Sequence, residues 1–144
     1  MNAFRETFRR TVEELAAEYR LEPRWTRGGD RDVVVIPKQK LEGFEVRFEC
    51  LDYGVYASAD GWHGAPWDVT IWEAEQLAES LREFISSVMV DAVLLVYESN
   101  GKPYKWVLEH QFEGERVRDK TGLFFFNWFG RRGQRKYSNA QPKI

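Results

Sequence analysis

Residues 44–50 read Phe44-Glu45-Val46-Arg47-Phe48-Glu49-Cys50, and their alternation decides the fold. Phe44, Val46, Phe48 and Cys50 fall on one side of an extended chain, with Glu45, Arg47 and Glu49 on the other. That is the period-two pattern of a strand with one buried and one wet face. Asp52-Tyr53-Gly54 supplies turn chemistry, and residues 55–59 return as a second strand, so an antiparallel hairpin is expected.

A sheet with one apolar face needs a cover, and the flanking sequence supplies two. Upstream, Phe4, Phe8, Val12, Leu15, Ala16 and Tyr19 recur at steps of three and four, which predicts an amphipathic helix opened by Asn2 and ended by Pro23 and Gly28-Gly29. Downstream, Thr70-Ile71-Trp72-Glu73 fits a capping box. Ala74, Leu77, Ala78, Leu81, Phe84, Ile85 and Val88 then give a second helix its core stripe, while Glu75, Glu79 and Glu83 stay outside.

Further strands are read at residues 33–36, in the apolar run 91–98, at 104–112 beyond the turn Ser99-Asn100-Gly101-Lys102-Pro103, near 115–118 and at 123–129. The expected class is therefore α+β, in the order α-β-β-β-α-β-β-β-β. The two helices would pack on one face of a mainly antiparallel sheet of about six or seven strands. With 144 residues, 43% of them hydrophobic and 31% charged, one core is the expectation: a single α+β domain over 1–130 and a basic, polar C-terminal tail over 131–144.

Charge is segregated. Residues 115–144 carry eight Lys or Arg against Glu115 and Asp119, a net +6, which leaves −8 for residues 1–114. Such polarity bears on partners rather than on fold. The single cysteine cannot form an internal bridge, no secretory pattern opens the chain, and no apolar run is long enough for a bilayer. The expectation is a soluble protein of the reducing cytoplasm without membrane contact.

The inventory for chemistry is thin: His63, His110 and Cys50 are the only imidazoles and thiol. There is no paired Cys or His spacing for a metal, no glycine-rich phosphate loop and no nucleophile elbow. No catalytic residue, metal or cofactor is expected, and Cys50 on the inward side of its strand reads as an inert thiol.

Two segments remain distinctive. In Ala59-Asp60-Gly61-Trp62-His63-Gly64-Ala65-Pro66-Trp67-Asp68, the residues Trp62, His63, Trp67 and Asp68 could line a pocket, with His63 oriented by Asp60 or Asp68 as a base. The competing reading, which weighs more, is a loop whose tryptophans cap the open end of the core, because Asp60-Gly61 is an ordinary turn pair and Pro66 rigidifies the loop. In Leu123–Tyr137, the apolar strand around Phe124, Phe126 and Trp128 runs into Arg131, Arg132, Arg135 and Lys136. A core or self-association role comes first for that strand, then a protein partner, then nucleic acid held by the cations beside Trp128 and Tyr137.

The combined expectation is a non-enzymatic protein-binding module of the immunity, chaperone or adaptor type. Its partner would be another protein or a second copy. The alternatives are a nucleic-acid binder using the basic aromatic C-terminal segment and a small-molecule pocket under the Trp62–Asp68 loop.

Overall fold

In the computed structural model, which describes residues 3–68, 73–122 and 131–140, the alternating stretch becomes strand β3 (Val46–Leu51), paired antiparallel with β4 (Gly54–Ala59). They sit within a five-stranded meander completed by β1 (Arg24–Gly28), β2 (Arg31–Ile36) and β5 (Trp62–Asp68), each strand pairing with its sequence neighbour. Helix α1 (Ala3–Tyr19) buries Phe4, Phe8, Val12 and Leu15, and α2 (Ala74–Val90) buries Leu77, Leu81, Phe84, Ile85 and Val88, the stripes read from spacing. A second antiparallel sheet holds β6 (Val93–Ser99), β7 (Lys102–Phe112), β8 (Glu115–Gly122) and β9 (Arg132–Tyr137) in the order β8-β7-β6-β9.

The α+β class and the two covering helices are as expected. The strands differ in number and arrangement: the described residues contain nine in two sheets rather than about six or seven in one. β1 lies in a segment that reads only as a helix ending. β5 lies in the segment that reads as a loop.

In β5 the register shifts by one between Val55↔Trp67 and Ala57↔Gly64, so Ala65 and Pro66 together oppose Tyr56. A bulge is where a sheet tolerates a residue without an N–H. The extra residue also reverses the alternation, so Trp62 and Trp67, five positions apart, both turn inward.

Helix α2 begins with a capping box one turn later than expected: the Glu73 carboxylate accepts from the backbone amide of Gln76, and Gln76 Oε1 accepts from Glu73 N–H at 2.9 Å. The Thr70 box and the strand 123–129 lie outside the described residues.

One cluster of rings joins the layers. Phe84 of α2 sits 5.8 Å from Phe48 and 5.6 Å from Trp67 in edge contacts, stacks on Trp62 at 6.2 Å, and meets His110 of β7 at 5.0 Å. Phe8 of α1 reaches Phe48 at 6.1 Å. The sheets meet where β5 runs beside β8, and Thr121 Oγ1 both accepts from His63 N–H and donates to His63 C=O. At the tight turn before β5, the Trp106 ring covers Gly61 so closely that a β-carbon there would collide with it, and Trp106 Nε1 donates to Asp60 at 2.7 Å.

Residues 131–140 of the segment that reads as a polar tail are described, and they include a strand. Residues 132–137 form β9 against β6, and Asn139 is buried beneath the β2–β3 connection. Its Oδ1 accepts from Gln39 N–H and Phe44 N–H, each at 3.1 Å, and its Nδ2 donates to Phe44 C=O at 2.9 Å. Asn139→Ala would leave these backbone groups without their partner, so a loss of about 1–3 kcal/mol is expected in urea unfolding. An unchanged midpoint would show that the loop holds itself.

Candidate functional site

The tryptophans of the Trp62–Asp68 segment are buried in the core. Trp62 is 2% exposed and Trp67 1%. Trp67 Nε1 donates to Ser80 at 2.9 Å, while Trp62 Nε1 has no hydrogen-bond partner among the described residues. His63 is exposed, on the opposite side of the strand from Trp62, and Asp60 is engaged by Trp106. Among the described residues, no hydrogen bond joins His63 to Asp60. The backbone of Asp68 pairs with Gly54 at the end of β5, and Trp128 lies outside the described residues.

Two shallow concavities flank His63. One of about 390 Å³ lies over Arg47, Tyr56 and Ser58, and one of about 260 Å³ is bounded by Trp62, Phe84, His110, Asp119 and Lys120. The second contains the His110–Asp119 pair, 2.7 Å apart, which nothing in the sequence links. The other ring nitrogen of His110 stands 3.1 Å from Gln111 C=O, so each ring nitrogen faces an oxygen.

Cys50 is buried. Burial, and secondarily the Asp32 carboxylate, push its thiol up to about 12. Among the described residues, no three His, Cys, Asp or Glu side chains are grouped to hold a metal ion, and no helix is long and apolar enough to cross a membrane.

The basic C-terminal residues are sorted by strand alternation. Arg135 stands on the core-facing side of β9, with its Nε 2.6 Å from Glu98. Arg131 precedes the strand, its N–H donating to Asn100 Oδ1 at 2.8 Å. Arg132 and Lys136 point to the outer face of the four-stranded sheet, where register aligns Lys136, Leu95, Val107 and Lys120 in one row and Gln134, Tyr97 and Lys105 in the next.

Register places Lys102, Lys105, Arg116, Arg118, Lys120, Arg132 and Lys136 on that face, against the carboxylate of Glu109. Glu109 is engaged by Arg118 at 3.4 Å. Arg116 reaches past the sheet to Asp91, and the Lys105 ammonium lies 4.3 Å over the Tyr97 ring. Among the described residues, no ion pair ties Lys120 or Lys136. The two apolar residues in the central row are buried, Leu95 at 7% exposure and Val107 at 0%, while Arg116, Arg118, Lys120, Arg132 and Lys136 are exposed.

Sequence reasoning finds Arg132 and Lys136 but not their companions on β7 and β8. The signal is there: Arg116, Arg118 and Lys120 occupy alternate positions and so share one face of a strand. What a sequence alone does not show is that β8 and β9 are the two edges of one sheet, with Lys120 and Lys136 in the same row, about 14 Å apart at ordinary strand spacing. Comparison with protein-family models, with curated proteins and with solved structures finds no match for the chain.

Proposed function

We propose that the protein is a non-enzymatic binding module, of the immunity, chaperone or adaptor kind, that engages an acidic protein through the outer face of its four-stranded sheet. The observation that carries this reading is the concentration of seven cationic side chains and one carboxylate on that face, in a chain whose net charge is −2. Like charges gathered on one surface repel each other, and a negative partner relieves that repulsion while steering its own approach. The buried thiol of Cys50 supports a role other than catalysis.

Nucleic acid uses the same cations, but it also uses exposed aromatic faces for base stacking. Tyr97, the aromatic on this face among the described residues, lies beneath Lys105. That favours protein.

The test is a pulldown from native lysate with the unaltered chain and with Lys120→Glu/Lys136→Glu. The unaltered chain should capture an acidic protein in a salt-sensitive manner. The double variant should lose it while unfolding within about 0.5 kcal/mol of the parent, as exposed substitutions do. Capture abolished by nuclease would move the reading to nucleic acid. Capture indifferent to both substitutions would remove the sheet face from it.

A further inference from the structure

We infer that the outer edge of β9 is where the partner attaches, by adding an acidic strand to the four-stranded sheet. This rests on the proposed acidic partner and goes beyond it, since it names the partner's conformation and the backbone atoms that hold it.

The backbone of β9 divides its hydrogen-bonding groups between two edges. Asn100 N–H donates to Arg131 C=O at 2.8 Å, immediately beyond the register pair Ser99↔Arg132. In an antiparallel ladder, hydrogen-bonded pairs alternate with pairs whose amides and carbonyls turn away. Gly133, Arg135 and Tyr137 therefore direct their backbone groups to β6. Gln134 and Lys136 direct theirs to the opposite edge. Ser138, next in that outward series, already uses its N–H there, donating to Glu42 C=O at 2.9 Å.

Among the described residues β9 pairs with β6 alone, so Gln134 and Lys136 present amides and carbonyls with no described strand beside them. Those same residues aim their side chains at the cationic face. Backbone groups presented in this way are a template for another strand.

Charge selects the occupant. A second copy pairing β9 with β9 would set Arg132, Arg135 and Lys136 against their own kind, and like charges directly opposite are destabilising. β8, the second edge of this sheet, runs beside β5, and β1, the far edge of the five-stranded sheet, has its cations already engaged: Arg24 with Glu45 at 2.8 Å and Arg27 with Glu13 at 3.0 Å. β9 is thus the edge where a strand carrying a carboxylate at every second position gains both ladder hydrogen bonds and opposite-charge neighbours. On the reverse face, the incoming strand would pass Gly133, whose α-carbon has open space around it.

The experiment monitors backbone amides of the full chain by NMR as three probes are added: a peptide of alternating Glu and Val, one of alternating Glu and Pro with the same charge, and a thymidine oligonucleotide. The Glu-Val peptide should shift residues 131–137 and slow hydrogen exchange at Gln134 and Lys136, but not change it at Gly133 or Arg135, which are already bonded to β6.

Lys136→Glu should weaken that binding about tenfold. Gln134→Pro, which removes an outward amide and leaves the ladder to β6 untouched, should abolish exchange protection. Lys136→Glu keeps the test decisive if the proline variant fails to fold. Equal binding of the Glu-Pro peptide overturns strand addition while leaving the acidic-partner reading standing. Tighter binding of the oligonucleotide with the edge amides unprotected overturns both, as does failure of every probe to bind.

Discussion

Phe84→Ala should lower the unfolding free energy by about 3–5 kcal/mol, the range for emptying an aromatic site that its surroundings cannot refill. Three features put Phe84 at the top of that range. It is 1% exposed, it projects from α2 into the space between the sheets, and its ring contacts Phe48, Trp62 and Trp67 of one sheet and His110 of the other.

Relaxation into the cavity is limited because its walls are anchored elsewhere. Trp67 is tied to Ser80, and His110 is paired with Asp119. Phe84→Leu, which refills much of the volume, should cost markedly less. Urea unfolding followed by tryptophan fluorescence measures both, and a loss below about 1 kcal/mol for the alanine variant would show that α2 is not the joint between the sheets. Since domains of this size are stable by about 5–15 kcal/mol, the expected loss is a large share of the whole.

Asp32→Ala is the second large effect, expected at about 3–5 kcal/mol for removing one member of a buried charge cluster. Asp32 lies on the helix-facing side of β2, 1% exposed, with Arg5 at 3.3 Å and Arg9 at 3.0 Å. Burial opposes the charge of Arg5, but the field and hydrogen bond of Asp32, supplemented by Asp52, outweigh it and leave the guanidinium raised above its ordinary value. Without Asp32, two cations on α1 face a nearly closed apolar layer with one exposed carboxylate, Asp52, close by.

Neutralising the cation as well should recover part of the loss, so Asp32→Ala combined with Arg5→Met should destabilise by less than the sum of the two single changes. Strict additivity in chemical denaturation would show that the cluster does not act as a unit.

The elements legible in the sequence are those in which burial and periodicity agree. α1, α2 and the β3–β4 hairpin each show one apolar face to one core, and their residues can be assigned without knowing their neighbours. β5 escapes such reading because Gly64 and Pro66 carry loop chemistry and the bulge opposite Tyr56 breaks the alternation that marks a strand. β9 escapes it because an edge strand needs no apolar side: Arg132–Tyr137 is built from residues that solvate its outer face and pair with Glu98 on its inner one.

The candidate site divides the same way. Trp62 and Trp67 stand out as unusual in the sequence, and the structure places them in the core. Arg132 and Lys136 gain meaning only when register sets them beside Lys105, Arg118 and Lys120, an alignment that depends on sheet order.

Asn139 gives the order in which the chain emerges during synthesis a physical role. It closes the connection between β2 and β3 through backbone groups 95 and 100 positions earlier in the chain. Contacts of such sequence separation form late, because the loop they close must first be brought together. On the ribosome, the five-stranded meander can pair strand by strand as it appears, while its connection at 37–44 waits for Asn139. The nascent protein therefore carries a paired sheet with one unlatched loop until β9 and Asn139 emerge, and docking of β9 and setting of that loop are one event.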